Sequence, residues 1–171
     1  MPRNKKSAND TPAVTRLCFT QRVRLFFYII CIKTISTKDM KEMDPRFEIR
    51  ESPGMGWGLF AREPIKQGGF IVEYTGTKIP AKVADESDSR YLFEIDEKWT
   101  IDGETQENQG RWVNHACVPN VEALGEGDRI MFYALRDIFP GEEITIDYGE
   151  EYFDEFIKPH GCKCGAEKHL K

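Results

Sequence analysis

The pattern of hydrophobic and polar positions in this 171-residue chain changes near residue 44. From there on, short runs rich in β-branched and aromatic residues alternate with clusters of Gly, Pro and Asp. This pattern is typical of a mainly β domain with tight turns. The predicted strands are Phe47–Glu51, Gly58–Ala61, Phe70–Tyr74, Tyr91–Ile95, Trp99–Asp102, Val121–Leu124, Ile130–Ala134 and Glu143–Ile146, with one short helix from Ala81 to Ser89.

Residues 1–43 do not follow this pattern, and we interpret them as a poorly ordered basic leader or tail. A targeting leader and translated upstream sequence, with Met40 or Met43 as the working start, are alternatives. The apolar run Leu25–Ile32 has eight residues. Because crossing a bilayer needs about 20 apolar residues, no membrane span is predicted.

The charge is unevenly distributed along the chain. Residues 1–42 contain nine Lys/Arg and three Asp/Glu, against fifteen and twenty-six in residues 43–171. An acidic body repels nucleic acid and attracts basic peptides, so we expect a basic protein partner and no direct binding of nucleic acid by the body. Solubility alone explains the charge equally well. The length fits one domain, and no membrane partner is expected.

Three of the five cysteines lie in the acidic body, so an even disulfide framework does not fit and a reducing compartment is expected. Cys162 and Cys164 are separated by one residue, with His169 shortly after them. Together with Cys117 they provide three thiolates and one imidazole, a common structural zinc arrangement. The alternative is a pair of reduced surface thiols.

Two further segments combine groups that can carry chemistry. Gly54, Gly56 and Gly58 precede a strand, which indicates either close approach of a ligand to the backbone or a tight turn. The aromatic face of Trp57 suits a cationic ligand such as a sulfonium. Residues 111–120 are dense in polar groups. They indicate a binding loop, a buried turn, or a Cys-His pair of the kind found in hydrolases.

Taken in order, these segments resemble the SET domain with a short post-SET tail, over residues 44–171. The series consists of Gly56-x-Gly58, Glu73-Tyr74-x-Gly76, Tyr91-x-Phe93, Arg111-x-x-Asn114-His115-x-Cys117-x-Pro119-Asn120, Ala134-x-Arg136-Asp137-Ile138, Gly141-Glu142-Glu143, Asp147-Tyr148-Gly149 and Cys162-x-Cys164. The resemblance implies a mainly β fold of small sheets around a pseudoknot, with a SET domain at 44–156 and a post-SET-like tail at 157–171.

The resemblance also implies a protein lysine methyltransferase that uses S-adenosylmethionine. Tyr148 and Tyr74 would line the lysine channel, with the Tyr148 hydroxyl as the leading catalytic group. The residues expected to bind the cofactor are Gly56, Trp57, Tyr91, Arg111, Asn114, His115 and Leu170. The expected zinc ligands are Cys117, Cys162, Cys164 and His169.

Three positions depart from the family pattern. Ile146 stands two residues before Tyr148, where many relatives have Phe or Tyr, which leaves the number of transferred methyl groups open. His169 replaces the last post-SET cysteine, and imidazole is a competent zinc ligand. Ala116 replaces the usual Ser. Upstream, two cysteines are too few for a pre-SET cluster, which indicates a compact type.

We expect the substrate to be a basic protein, with a histone tail favoured. The alternative from another class is a non-catalytic reader or scaffold that keeps the SET fold. A nuclear or chromatin-associated location is expected in a eukaryote, and otherwise a cytoplasmic one or delivery to a host.

Overall fold

A computed structural model describes residues 43–167 and His169. The predictions for residues 1–42 and for Leu170 lie outside these described residues. The described part is built mainly from short strands, which confirms the predicted fold class. The strands are β1 Phe47–Ser52, β2 Gly56–Ala61, β3 Phe70–Tyr74, β4 Thr77–Pro80, β5 Leu92–Asp96, β6 Trp99–Asp102, β7 Asn114–His115, β8 Val121–Glu126, β9 Arg129–Ala134 and β10 Thr145–Ile146.

The largest sheet has five strands in the order β3-β9-β8-β10-β7. Its short strand β10 lies between β7 and β8 and runs parallel to both. Residues 116–120 connect β7 to β8 and therefore pass around β10. The Asn120 side chain fixes this crossing, because its Nδ2 donates to the Glu143 carbonyl (2.7 Å) and its Oδ1 accepts from the Thr145 N–H (2.8 Å). This is the threaded arrangement that the resemblance implies.

Two smaller sheets accompany the five-stranded one: the first precedes β3 in the chain, and the second lies between β3 and β7. β1 and β2 form an antiparallel hairpin, and β4, β6 and β5 form an antiparallel sheet with β6 in the centre. An apolar core joins elements of all three sheets, and its members include Leu59, Ile71, Ile101, Phe132 and Ile144. Burial of these side chains supplies the main driving force for folding.

Helical structure is short in the described residues. α1 covers Ala81–Ala84, a 3-10 turn covers Gln109–Trp112, and α2 covers Glu150–Tyr152. The chain continues from α2 as a wider helical turn over Phe153–Ile157 and a 3-10 turn over Lys158–His160. None of the described helices has the length and apolar character to span a membrane.

The elements differ from the sequence prediction at several places, and the helical segment over residues 150–160 was not predicted. The predicted helix ends at Ala84 rather than Ser89. The predicted strand at 143–146 keeps only two residues, while Glu143 forms an isolated bridge to Phe60. β4 and β7 were not predicted as strands. Both form through pairing with distant residues, β4 with β6 and β7 with β10, and such pairing leaves little local signal.

Candidate functional site

Tyr74, at the end of β3, is buried against aromatic side chains of neighbouring strands. Its ring centroid lies 5.2 Å from that of Phe93 and 6.0 Å from that of Phe132. Its hydroxyl donates to the Tyr91 carbonyl at 2.8 Å. A side chain at Gly103 or Gly110 would collide with the ring, so bare backbone leaves the space that Tyr74 occupies. Burial raises the pKa of Tyr74 well above that of a free phenol.

Tyr148 follows β10 and reaches the same region from another part of the chain. Its hydroxyl donates to the Val113 carbonyl at 2.8 Å, and its ring packs edge-on against Tyr152 at 4.9 Å between centroids. The residue as a whole is 36% exposed. Around the phenol group, however, burial raises the pKa, and the neighbouring phenols of Tyr152, Tyr74 and Tyr91 raise it further. The Tyr148 hydroxyl is therefore neutral at physiological pH.

We call Tyr74, Tyr91, Tyr148 and Tyr152 the tyrosine cluster. Burial also raises the pKa of Tyr152, and Tyr91 adds to this shift. The structure thus brings Tyr74 and Tyr148 into one region, where each hydroxyl donates to a backbone carbonyl. Both phenol oxygens keep lone pairs with which to accept a further hydrogen bond.

Asn114, in β7, is oriented by two acceptors. Its Nδ2 donates to the Trp57 carbonyl at 3.1 Å and to Glu143 Oε1 at 2.7 Å. Both amide hydrogens are used in this way. No described residue donates to Asn114 Oδ1, which leaves this oxygen as an acceptor for a ligand.

His115 is 4% exposed and lies between the tyrosine cluster and the cysteines. Its Nδ1 accepts from the Tyr148 backbone N–H at 3.3 Å, so the proton of a neutral ring is assigned to Nε2. Nε2 lies 3.6 Å from Cys117 Sγ. The ring also packs against Tyr148 and Phe153, at 5.5 and 5.4 Å between centroids. His115 therefore joins β7, the residue after β10 and the C-terminal helical segment.

Arg111 lies in the 3-10 turn before β7 and stacks on two aromatic rings. Its guanidinium carbon is 4.3 Å from the Tyr91 ring centroid and 5.1 Å from that of Trp112. Its Nη1 donates to the Glu104 carbonyl. Its Nε is buried and has no hydrogen-bond partner among the described residues. A buried donor without a partner is costly, so this nitrogen is a candidate to bind an acceptor from outside the described residues.

Gly56 and Trp57 begin β2. Gly56 has a φ of 86°, which favours glycine, and no atom lies close to where its Cβ would be. The Trp57 side chain is exposed beside it, while its carbonyl holds Asn114. The backbone here forms a turn next to open space, and the approach of a ligand to it stays a prediction.

The predicted metal ligands Cys117, Cys162, Cys164 and His169 meet in one cluster. Their ligand atoms all lie within 4.8 Å of one another. Cys117 Sγ is 3.8 Å from Cys162 Sγ and 3.4 Å from His169 Nδ1, and Cys164 Sγ is 3.7 Å from His169 Nδ1. Tetrahedral zinc would place two sulfurs about 3.8 Å apart, and sulfur and nitrogen about 3.6 Å apart. The donor set therefore fits a zinc ion.

The Cys164 thiol also has the acidity that a metal ligand needs. Burial opposes its ionisation, but the backbone N–H groups of Cys117 and Ala166 and the neighbouring thiols outweigh this effect. The pKa of Cys164 is lowered to about 7. Since the thiolate is the form that binds metal, this environment favours coordination.

The Cys-His alternative has a measurable geometry. The 3.6 Å between Cys117 Sγ and His115 Nε2 brings the two groups within reach of each other. The same sulfur, however, is buried and stands among the ligand atoms of the metal cluster. A nucleophile in that position lacks an open side for a substrate, so the structure favours a structural role for Cys117.

Sequence reasoning missed four residues that shape the site. Asn108 is fully buried; its Oδ1 accepts from the Thr75 N–H and its Nδ2 donates to the Gly103 carbonyl, beside Tyr74. Ser52 and Glu143 form a hydrogen-bonded chain to Asn114. The only sequence signal was their place next to recognised motifs. Tyr152 was missed with the helix that contains it.

Comparisons with known proteins agree with this geometry. The SET domain profile matches residues 56–149, more than half of the chain. The histone-lysine N-methyltransferase set1 of Dictyostelium discoideum is 39% identical over 147 residues, covering 78% of this chain and 10% of that protein. Histone-lysine N-methyltransferase EHMT1 of Mus musculus is 36% identical over 137 residues, covering 72% and 10%.

A yeast relative, the H3 lysine-4 specific histone-lysine N-methyltransferase of Saccharomyces cerevisiae, is 37% identical over 123 residues, covering 64% of this chain and 11% of that protein. The chain thus spans about a tenth of the length of the curated relatives it matches. The profile match, the threaded strand β10 and the order of the motifs lead to one conclusion: the chain belongs to the SET domain family.

Proposed function

We propose that this protein transfers a methyl group from S-adenosylmethionine to the ε-amine of a lysine in a basic protein, with a histone tail as the favoured substrate. The observation that carries the proposal is the meeting of Tyr74 and Tyr148 with Asn114 and His115 around one region of a SET fold. The names of the relatives support the substrate class and a chromatin-associated place of action.

Several unsatisfied groups fit the cofactor. Arg111 Nε lacks an acceptor and Asn114 Oδ1 lacks a donor within the described residues, so they match a ligand that carries both kinds of group. We assign cofactor binding to these two residues, to Tyr91 and His115 beside them, and to Gly56 and Trp57. When bound, S-adenosylmethionine supplies a methyl group made electrophilic by its sulfonium.

The tyrosine cluster suits the preparation of a lysine amine. At pH 7, about one lysine in a few thousand is neutral and nucleophilic, because the pKa is near 10.4. A site lined with phenol rings removes water from the ammonium and lowers its pKa. The rings of Tyr74 and Tyr148 would provide this environment.

The Tyr148 hydroxyl orients the amine and does not act as a base. Its proton is already donated to the Val113 carbonyl, and its raised pKa keeps it neutral. Its free lone pairs can accept a hydrogen bond from the amine N–H and so point the nitrogen lone pair at the methyl carbon. Because methyl transfer needs in-line approach at about 3 Å, this positioning is the main contribution of the residue.

We assign a structural zinc ion to Cys117, Cys162, Cys164 and His169. The spacing of their ligand atoms and the acidity of Cys164 support this assignment. The metal would hold residues 162–169 against β7 and thereby keep the tail next to the cofactor region.

Radiolabelled methyl transfer onto histones and lysine-rich peptides tests the proposal. Tyr148→Phe is expected to lower kcat by about 100-fold, because the amine loses its orienting acceptor. Tyr133→Phe is the matched control: it removes a phenol of β9 that lies outside the tyrosine cluster and donates to Glu126, and it should stay near wild-type activity.

Two outcomes would contradict the enzyme assignment. One is a wild-type protein that transfers no label to any of these substrates. The other is a Tyr148→Phe variant as active as wild type. Calorimetric binding of a peptide without any need for S-adenosylmethionine would instead indicate a reader or scaffold.

A further inference from the structure

The Glu143 side chain occupies the space between the β1–β2 hairpin and β7. Its Oε1 accepts from Asn114 Nδ2 at 2.7 Å, and its Oε2 accepts from Ser52 Oγ at 2.8 Å. Ser52 is only 1% exposed, at the end of β1. The carboxylate therefore connects three parts of the chain that are far apart in sequence: the hairpin, β7 and the segment before β10.

The backbone of Glu143 is fixed as firmly as its side chain. Its carbonyl accepts from Asn120 Nδ2, and it pairs with Phe60 of β2 as an isolated bridge. A carboxylate attached to such a backbone has little freedom to follow Asn114. We therefore regard Glu143 as the group that sets the orientation and Asn114 as the group that is oriented.

Gly58 provides an independent observation. A Cβ at this position would lie 2.3 Å from Glu143 Oε1 and 3.0 Å from Asn114 Nδ2. The backbone of β2 thus approaches the hydrogen-bonded pair so closely that no side chain fits. Gly58, the third glycine of the Gly54–Gly58 series, therefore leaves the space that the side chains of Glu143 and Asn114 occupy.

The negative charge of Glu143 also affects the neighbouring site. It receives hydrogen bonds from two neutral donors, and within the described residues it has no ion-pair partner. The carboxylate lies 2.7 Å from Asn114 Nδ2, so the charge stands directly beside a residue to which we assign cofactor binding. A negative charge here favours a cationic ligand.

We propose that Glu143 is a positioning residue that directs Asn114 Oδ1 toward the cofactor and whose charge favours the cationic cofactor over its product. This proposal rests on the function proposed above. Methyl transfer turns the sulfonium of S-adenosylmethionine into the neutral thioether of S-adenosylhomocysteine. The negative charge of Glu143 therefore makes the site bind the cationic cofactor more tightly than the neutral product. The weaker binding of the product promotes its release.

The test measures Kd for both nucleosides by calorimetry, without peptide, on the full chain. Glu143→Gln keeps an oxygen acceptor for Asn114 but removes the charge. It is expected to weaken S-adenosylmethionine binding by roughly five- to tenfold and S-adenosylhomocysteine binding by less than about twofold. Glu122→Gln is the control, since it removes the same charge from an exposed position of β8 and should change neither Kd.

Ser52→Ala distinguishes the positioning role of Glu143 from the effect of its charge. It also provides a test in case Glu143→Gln does not fold. It keeps the carboxylate but removes the donor that holds it, so both nucleosides should bind about two- to fivefold more weakly, by equal factors. Unchanged binding in Ser52→Ala would overturn the positioning role. Equal losses of both ligands in Glu143→Gln, or no loss, would overturn the charge preference.

These outcomes are distinct from failure of the proposed function. A wild-type protein that binds neither nucleoside overturns the function and this inference together. A wild-type protein that binds S-adenosylmethionine and transfers methyl groups, beside variants that behave identically to it, overturns this inference alone.

Discussion

The tyrosine cluster and the metal cluster meet at His115 but are held in place by different means. Tyr74 and Tyr148 are fixed by hydrogen bonds to backbone carbonyls and by packing on the strand core. Three of the four metal ligands lie instead on residues 162–169, where the described residues form no regular element and bury no core side chain. The first cluster is therefore set by the folding of the sheets, whereas the second would depend on the zinc ion that we propose for its order.

Removal of the metal should show the difference between the two clusters most strongly. Chelation is expected to lower cofactor affinity and methyl transfer by about 10- to 100-fold, because residues 162–169 lose the contact that ties them to Cys117. Hydrogen exchange should rise in the tail and stay low in β3, β8 and β9. Equal loosening of the strands would show that the metal holds the whole fold.

The pH dependence of methyl transfer tests the other half of this comparison, the tyrosine cluster. We expect kcat/KM for a lysine peptide to rise about tenfold per unit from pH 7 to 9, as the neutral amine fraction grows. The raised pKa values of Tyr74 and Tyr148 mean that both phenols stay protonated, so their ionisation should cause no fall in this range.

The profile is measured on metal-loaded protein in overlapping buffers at constant ionic strength. A different outcome would be a kcat/KM that passes through a maximum and declines below pH 9 in wild type but not in a Tyr148→Phe variant. It would mean that the Tyr148 phenol ionises in this range, which contradicts its raised pKa.

The smallest effect is expected from exchanging one metal ligand for another. His169→Cys should keep a four-ligand site and change cofactor affinity by less than about twofold, whereas His169→Ala should lower zinc affinity by about tenfold or more. Metal analysis after dialysis against a graded chelator measures both. If His169→Ala retained zinc as well as wild type, His169 would not be a ligand.

The sequence predicted those parts of the molecule whose signal is local or chemical. β6 alternates apolar and polar residues and β9 is a short continuous apolar run, both typical of strands, while β3 and β6 were predicted with their observed bounds. The metal cluster was predicted because few residue types bind zinc, so Cys117, Cys162, Cys164 and His169 identify one another despite their distance in sequence.

The parts that were missed depend on contacts between distant segments. β7 has two residues and forms through its pairing with β10, so nothing local to Asn114 and His115 indicated a strand. Ser52 precedes a Pro-Gly turn signal, which hid its hydrogen bond to a residue 91 positions away. The helical segment after Gly149 was missed because Glu150 and Glu151 alone gave no apolar period before Tyr152.

The passage of residues 116–120 around β10 also constrains the order of assembly. β10 pairs with β7 on one side and β8 on the other, so its place in the sheet is defined only when both of these strands are present. The backbone groups that bond the side chains of Asn120 and His115 belong to residues 143, 145 and 148, which are synthesised after β7, β8 and β9. A nascent chain stalled before residue 144 would therefore contain nearly every strand and still lack both β10 and Tyr148.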